Sequence, residues 1–293
     1  MFKLGKMPEK VMRNLRRFNA WLVPPQRYKD TIGLGFSILE EGYFTAKNFL
    51  DTTMHMSERL LYEDTYHEQR LSQYRGQRRL VVFVPGYMQS PISFYRLERY
   101  LGLEIFDVFT YIVGGLPYSQ DLTLSGQQLG KRVREVHRRL NVSEIFLVGH
   151  SQGGIVIRTM VQHGMADGLP VTKCLFLSSP HQGTWAGLVA FPHQGVRMAA
   201  GMIPYVPKVR GESGVQMLPG SDFLRELNSR PLPEDVRFTS VYYALDPMIW
   251  PPGNAILPYP EAENHFISKV GHAQPLYCSR ATQIAIRALY GGE

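Results

Sequence analysis

The spacing of hydrophobic positions changes near residue 75, and this change predicts two regions of different structure. From about residue 31 to residue 74, apolar side chains recur at helical intervals. Beyond that point, short apolar runs alternate with helical stretches, and the first of these runs is Leu-Val-Val-Phe-Val at residues 80–84. An uninterrupted, β-branched run is typical of a strand covered on both faces of a parallel sheet. We therefore predict a helical extension over residues 1–75 and a larger domain over residues 76–293.

The larger domain is predicted to be an α/β fold, with a mostly parallel sheet of about six strands flanked by helices. Six apolar runs are expected to form strands, at residues 80–84, 106–113, 145–148, 171–177, 238–244 and 265–270. Helical stretches are expected at residues 93–101, 125–140, about 152–164 and 279–289. Regular alternation of strands and helices favours a parallel sheet, because each helix returns the chain to the same end of the next strand.

Residues 181–230 interrupt this alternation with an apolar insertion in which no core strand is visible. The insertion carries many large apolar side chains, Trp185 among them, together with several prolines and glycines. Because it leaves the sheet at the edge where such folds place their sites, we predict a cap, either a mobile lid or the wall of an apolar pocket. The alternative is an insertion that packs its apolar side chains permanently. His181 and His193 also lie here and are assigned no role.

Positive charge is concentrated at the N-terminus. The formal net charge is +7, and residues 1–29 hold eight basic side chains and one acidic side chain, so the rest of the chain is neutral overall. This distribution argues against nucleic-acid binding by the larger domain. Four apolar residues share one face of a predicted helix, with arginines opposite: Val11, Leu15, Phe18 and Leu22. We favour a helix that packs on the domain; the alternative is peripheral contact with an anionic membrane surface.

Neither a signal peptide nor a transmembrane span is predicted. The basic N-terminus is not followed by the apolar core and small-residue cleavage site of a signal peptide. Between residues 31 and 74, charged side chains interrupt the apolar positions before any apolar stretch reaches the 18 residues that a membrane span needs. Only two cysteines occur, Cys174 and Cys278, which disfavours a disulfide framework, and Cys174 is expected to be a buried strand residue. We therefore expect a cytoplasmic protein.

Residues 149–153, Gly-His-Ser-Gln-Gly, place one serine between a predicted strand and a predicted helix. A strand, a tight glycine turn and a helix in this order are the context in which a Gly-x-Ser-x-Gly motif presents an exposed nucleophile. The free N–H groups at the start of the helix face any anion that forms there. We predict that Ser151 is a nucleophile rather than an ordinary turn residue.

Two further side chains supply what an attacking serine needs. A serine hydroxyl attacks an acyl carbon only if a base accepts its proton, and a carboxylate fixes the tautomer of that base. Asp246 and His272 each follow a predicted strand, and the order Ser, Asp, His suits this architecture. His265 is the alternative base, although it opens a strand. The alternative for Asp246 is a carboxylate that only caps the turn at Pro247.

The oxyanion that forms during such an attack requires N–H donors. One donor is expected to be the backbone N–H of Gln152, directly after the nucleophile. The second is expected from the loop after the first strand, where Tyr87 is the candidate and Met88 the alternative. Both are backbone donors, so the shape of the loop matters more than the side chains.

Five motifs of the larger domain occur in this order: Val-Pro-Gly-Tyr at 84–87, Val-Gly-His-Ser-Gln-Gly-Gly at 148–154, Ser-Pro-His-Gln-Gly-Thr at 179–184, Thr-Ser-Val-Tyr-Tyr at 239–243, and Val-Gly-His at 270–272. From about residue 79 to residue 292 the chain thereby resembles the α/β-hydrolases, and among them the bacterial lipases. The resemblance implies hydrolysis of carboxylic esters with apolar acyl chains, without a cofactor, by Ser151, Asp246 and His272. Family members usually have His-Gly where this chain has Pro85-Gly86.

Two other functions stay open at this point. An acyltransferase would form the same acyl-enzyme and pass the acyl group to an alcohol, a thiol or a lipid headgroup. A non-catalytic binding protein could also use a hydrolase fold, because a fold alone does not imply a function. No cluster of His, Asp and Glu has the spacing of metal ligands, so no metal and no cofactor are predicted. The expected partner is a small-molecule ester or lipid.

Overall fold

A computed structural model gives the fold of the larger domain. It describes residues 67–87, 89, 94, 97–98, 108–113, 121–185, 212–249, 251–268, 270–273, 283–284, 286–287 and 289. Within these ranges the chain forms six strands: β1 (Arg79–Val84), β2 (Val108–Ile112), β3 (Glu144–His150), β4 (Val171–Leu177), β5 (Arg237–Tyr243) and β6 (Glu263–Ile267). Four helices lie wholly within these ranges, α1 (Leu122–Leu140), α2 (Gln152–Gln162), α3 (Glu212–Gln216) and α4 (Asp222–Ser229), together with a 3₁₀ turn at Pro252–Ala255. Residues 67–71 are also helical.

The six strands form one parallel sheet in the order β2-β1-β3-β4-β5-β6. The order reverses at β1, because the chain steps outward to β2 and then returns to place β3 on the other side of β1. Such a reversal leaves a crevice at the carboxyl ends of the two central strands, where open α/β sheets bind their ligands. The predicted α/β fold with a parallel sheet of six strands is confirmed.

The sheet separates two apolar cores. Leu80, Val82 and Val84 of β1 belong to the core that also receives the apolar faces of α1 and α2, whereas Val81 and Phe83 belong to the core on the opposite face. Successive side chains of a strand point to opposite faces, so a strand that is buried on both faces must be apolar at every position. This requirement explains why β1 has no polar residue after Arg79.

Helix α1 begins at Leu122, three residues before its predicted start. The carboxylate of Asp121 accepts hydrogen bonds from the backbone N–H groups of Thr123 and Leu124, at 2.7 and 3.1 Å. Asp121 is therefore an N-cap, which satisfies N–H groups that the helix itself cannot pair. The apolar spacing alone did not reveal this cap.

The last strand differs from its prediction at both ends, since β6 covers Glu263–Ile267 instead of residues 265–270. It pairs with β5 alone in the sheet, and of its five residues Ile267 is the buried one. A strand at the edge of a sheet, with one face exposed to solvent, needs few apolar residues. The apolar pattern of the sequence therefore does not mark where β6 begins. Past Ile267 the chain still runs beside β5 as far as Val270, whose carbonyl oxygen accepts the N–H of Leu245 at 3.1 Å.

The described part of the predicted insertion contains α3 and α4 and no strand. Residues 186–211, on which the predicted lid or pocket wall mainly falls, lie outside the described residues. So do residues 1–66, with the predicted amphipathic helix and most of the helical extension. Within the part of the chain that the structure describes, no helix is long and apolar enough to cross a membrane.

Candidate active site

Ser151 lies on the tight turn between β3 and α2, with a backbone φ of 53° and ψ of −126°. Non-glycine residues rarely adopt a positive φ, and this strained geometry is typical of a nucleophile presented at a strand-to-helix turn. The turn is held on both sides by backbone contacts. The N–H of Ser151 donates to the carbonyl oxygen of Leu177 at 2.9 Å, and its carbonyl oxygen accepts the N–H of Gly154 at 3.1 Å.

Glycines let this turn pack directly against β1 and β4. A Cβ atom at Gly153 would lie 2.1 Å from the carbonyl oxygen of Val84, and one at Gly154 would lie 2.0 Å from Oγ of Ser179. A Cβ at Gly86, in the loop after β1, would lie 2.8 Å from Cβ of Ser151. The loop after β1 and the serine turn are therefore in contact at distances that only glycine permits.

Gly153→Ala is expected to lower the free energy of unfolding by about 3 kcal/mol or more, because the new methyl group meets backbone that cannot rotate away. Chemical denaturation measures the change. Gly253→Ala is the matched control, since a Cβ at Gly253 meets nothing within 4 Å, and a shift of less than about 1 kcal/mol is expected. Equal stability of the two variants would contradict the close packing of the serine turn.

Asp246 and His272 lie in contact at the carboxyl ends of β5 and β6. Nδ1 of His272 is 2.9 Å from Oδ2 and 3.0 Å from Oδ1 of Asp246. Oδ2 also accepts the hydroxyl of Ser178 at 2.7 Å, while Oδ1 accepts the backbone N–H groups of Met248 and Ile249 at 2.8 and 2.9 Å. The carboxylate therefore contacts His272 and also caps the turn at Pro247. The role of Asp246 as the acid stays a prediction.

The surroundings keep Asp246 ionised although it is only 4% exposed. Burial by itself raises the pKa of this carboxyl, but His272, the hydroxyl of Ser178 and the N–H of Met248 together bring the pKa below its ordinary value of 3.8. An ionised partner at Nδ1 requires that nitrogen to carry a proton, which leaves Nε2 of His272 free of one. The arrangement can therefore accept a proton at Nε2.

The two predicted oxyanion donors lie on the two segments that meet at Ser151. Gln152 is the first residue of α2 and is buried, and Tyr87 is half-buried in the loop after β1. That loop is shaped by Gln89, whose Oε1 accepts the N–H of Gly86 at 2.7 Å. The placement agrees with the predicted roles of both N–H groups, which stay predictions. Met88, the alternative donor, lies outside the described residues.

Sequence reasoning missed His150 and Ser178, which contact the predicted residues directly. The ring of His150 lies 4.8 Å from the ring of His272, centroid to centroid, and its Nε2 is 2.9 Å from the carbonyl oxygen of His272. Ser178 follows β4 at a φ of 49° and donates its hydroxyl to Asp246. His150 is the last residue of β3, directly before Ser151, and Ser178 directly follows β4. A polar side chain at the carboxyl end of a strand is the signal that could have revealed them.

Burial is the main reason that the pKa of His150 falls from 6.5 to about 3, and the neighbouring His272 adds to the fall. Between these values the unfolded chain binds a proton at this residue and the folded protein does not. The contribution of His150 to folding stability is therefore complete above pH 6.5 and is lost as the pH falls toward 3. From pH 7 to pH 5, His150 is expected to account for about 2 kcal/mol of lost stability.

Urea unfolding of the wild type and of His150→Gln at pH 7 and pH 5 measures this contribution. The wild type should lose about 2 kcal/mol more than the variant, because glutamine does not titrate. The other buried histidines affect both proteins equally and cancel in the comparison. Equal losses would mean that His150 is charged inside the folded protein.

His265 and His181, which the sequence also offers, have other contacts. His265, the alternative base, lies on β6 with Nε2 3.5 Å from the carboxylate of Glu263, and both side chains are partly exposed. His181 is fully buried, and its ring contacts Phe176 with centroids 4.8 Å apart. The structure thus brings His272, and not His265, to Asp246. His193 lies outside the described residues.

Cys174 is confirmed as a buried strand residue of β4 with a free thiol. Burial raises the pKa of this thiol well above its ordinary value, so the reactive thiolate is suppressed. Cys278, the second cysteine of the sequence, lies outside the described residues.

Comparison with known proteins assigns the class of protein that this fold and site define. The sequence profile of the α/β-hydrolase fold family matches residues 79–246, more than half of the chain. The chain therefore belongs to the α/β-hydrolase fold family. Among curated protein sequences, none matches.

Solved structures of similar fold include two lipases and a carboxylesterase. The lipase B of Aspergillus fumigatus superimposes with a TM-score of 0.57 at 17% identity, over 74% of this chain and 54% of that one. The mature lipase BlEst2 of Bacillus licheniformis gives 0.55 at 15% identity, over 73% and 93%. The carboxylesterase CesB of Bacillus subtilis gives 0.51 at 13% identity, over 75% and 86%. At these identities the likeness is one of fold.

Proposed function

We propose that this protein is a serine hydrolase that cleaves carboxylic esters with apolar acyl chains through an acyl-enzyme. The observation that carries the proposal is the contact of 2.9 Å between Nδ1 of His272 and the carboxylate of Asp246, at the same edge of the sheet as the strained Ser151. Nucleophile, acid and base follow three strands of one parallel sheet, in the chain order of α/β-hydrolases. The family of the chain supports the same class of reaction.

In the first half of the proposed reaction, Oγ of Ser151 attacks the carbonyl carbon of the ester. Nε2 of His272 accepts the hydroxyl proton, and Asp246 stabilises the imidazolium that results. The carbonyl oxygen of the ester becomes an oxyanion, which accepts hydrogen bonds from the N–H groups of Gln152 and Tyr87. As the intermediate collapses, the bond to the alcohol breaks, and the alcohol leaves with the proton that His272 returns.

The second half repeats these steps with water as the nucleophile. His272 accepts a proton from water, the hydroxide attacks the acyl carbon, and the acid leaves as Ser151 recovers its proton from His272. Each proton transfer uses Nε2, so Nδ1 must keep its proton throughout. The four donors around Asp246 support this, because they hold the carboxylate ionised against Nδ1.

An apolar acyl group is supported by exposed hydrophobic side chains near the carboxyl edge of the sheet. Leu124 at the start of α1, Val215 in α3 and Trp185 after β4 are between 44% and 49% exposed. Hydrogen bonds connect the three segments that carry these side chains. Oε1 of Gln216 in α3 accepts the N–H of Leu122 at 2.8 Å, and the carbonyl oxygen of Met217 accepts the N–H of Thr184 at 2.8 Å. An acyl chain lying over this surface removes apolar area from water, which favours longer chains.

A panel of nitrophenyl esters with short, medium and long acyl chains tests the proposal, together with covalent labelling by a fluorophosphonate. Turnover that requires Ser151 and rises with acyl length is expected. Product analysis in the presence of competing alcohols distinguishes hydrolysis from acyl transfer. A wild-type protein that neither cleaves the esters nor reacts with the fluorophosphonate would contradict the proposal and would favour a binding protein.

A further inference from the structure

We propose that His150 is a positioning residue, whose Nε2–H holds the backbone of His272 and thereby sets the distance between the general base and the nucleophile. This inference rests on the proposed function, because it concerns the same site. His150 directly precedes Ser151 in the chain, so one turn would carry both the nucleophile and the group that holds the base. The contact is the one at 2.9 Å between Nε2 of His150 and the carbonyl oxygen of His272.

The segment that carries His272 lies beyond the end of the strand ladder, so contacts other than regular strand pairing position it. The pairing of β6 with β5 ends at Ile267, and β6 pairs with no other strand among the described residues. Buried backbone groups beyond a ladder must find partners elsewhere. The carbonyl oxygen of His272 finds one in the side chain of His150, which comes from β3 at the middle of the sheet.

Both ring nitrogens of His150 lie within hydrogen-bond distance of an oxygen atom. The carbonyl oxygen of His272 and Oε1 of Gln89 can both only accept, so the neutral ring donates its one proton to one of them. The proposal places this proton on Nε2. Nδ1 lies 3.0 Å from Oε1 of Gln89, an oxygen that already accepts the N–H of Gly86 at 2.7 Å. With the proton on Nε2, Oε1 of Gln89 keeps the N–H of Gly86 as its donor, and the carbonyl oxygen of His272 receives the N–H of His150. This is the reason for placing the proton on Nε2.

The ring of His150 is buried and packed against the ring of His272. The side chain is 3% exposed, and its ring is tilted by 54° against the ring of His272. A buried neutral imidazole beside the base adds no charge to the site. Its contribution is geometric, and a displacement of about 1 Å in a reacting group can cost on the order of 100-fold in rate.

Substitution by glutamine or by asparagine tests the roles of the two ring nitrogens one at a time. The amide nitrogen of glutamine lies as many bonds from Cβ as Nε2 of histidine, whereas that of asparagine matches Nδ1. His150→Gln can therefore keep the donor to His272, and His150→Asn cannot. We expect His150→Asn to lower kcat by about 10- to 100-fold with KM changed less than about threefold, and His150→Gln to retain at least about a third of the wild-type kcat.

A control variant distinguishes a loss of activity caused by misplacing His272 from one caused by lower stability of the core. Val136→Ala removes buried methyl groups from α1, in the core away from the site, and should lower the melting temperature comparably with kcat unchanged. If His150→Asn is too unstable to assay, His150→Met, which fills the same space without a donor, replaces it. The rate of fluorophosphonate labelling should fall in parallel with kcat, since it also depends on the base.

The outcomes are distinct. A loss in His150→Asn that His150→Gln largely restores supports the inference. Equal kcat values for wild type and His150→Asn, or equal losses in the Asn and Gln variants, overturn it and leave His150 as a packing residue. A wild-type protein without turnover that depends on Ser151 would instead contradict the proposed function, whatever the His150 variants do.

Discussion

Ser151→Ala is expected to lower kcat/KM for the preferred ester by about 10⁴-fold or more, with a melting temperature close to that of the wild type. The variant loses the oxygen that forms the acyl-enzyme, while the oxyanion donors and the substrate surface remain. Alanine can follow the same backbone as serine, so the strained turn and its hydrogen bonds through backbone atoms should persist. Steady-state kinetics and thermal unfolding on the same preparations measure both quantities.

Labelling by a fluorophosphonate gives an independent measurement, because it detects the activated serine without a substrate. Ser151→Ala should not be labelled. Ser229→Ala is the control, since this serine lies exposed at the end of α4 and donates its hydroxyl to the carbonyl oxygen of Glu226 in the same helix. If Ser151→Ala retained turnover within about tenfold of the wild type, another nucleophile would have to be sought.

Asp246→Asn is expected to lower kcat by about 10⁴-fold with little change in fold. An amide can turn its NH₂ group toward Nδ1 of His272, which then becomes the acceptor and leaves the ring proton on Nε2. In that tautomer the base cannot take the proton of Ser151. The amide oxygen can still accept the N–H groups of Met248 and Ile249, so the turn should keep its shape.

Steady-state kinetics at neutral pH measures this effect, and Asp235→Asn serves as the control because Asp235 is an exposed carboxylate. The substitution removes the same charge from the protein without touching the site. A variant of Asp246 with more than about a tenth of the wild-type kcat would show that His272 does not need this partner for its tautomer.

The sequence predicts the fold of the larger domain well, because strands that are buried on both faces must be apolar along their whole length. The prediction of residues 171–177 as a strand agrees with β4 at both ends. The edge strand β6 and the start of α1 were placed less well. In β6 one face is exposed to solvent, so its residues need not be apolar and the sequence pattern is weak there. The start of α1 depends on the N-cap carboxylate of Asp121, which apolar spacing does not reveal.

The predicted site residues could be named because each follows a strand, and parallel strands bring their carboxyl ends together. The contact between Asp246 and His272 is the part that the structure adds. Ser178 contacts Asp246 across the neighbouring strands β4 and β5, and His150 of β3 contacts the segment that follows β6. Chain order does not reveal which strands are neighbours or which segments meet. The flanking glycines predict the tight turn at Ser151, and its positive φ is what the structure adds.

The donors around Asp246 have a consequence for how the site behaves before a substrate arrives. Both carboxylate oxygens are held by hydrogen bonds from Ser178, Met248, Ile249 and His272. The entropy lost in fixing this side chain is therefore part of the folding free energy, and no ordering of the acid is left for the binding step. Such preorganisation predicts that the acid and the base have the same geometry in the free and the acylated enzyme.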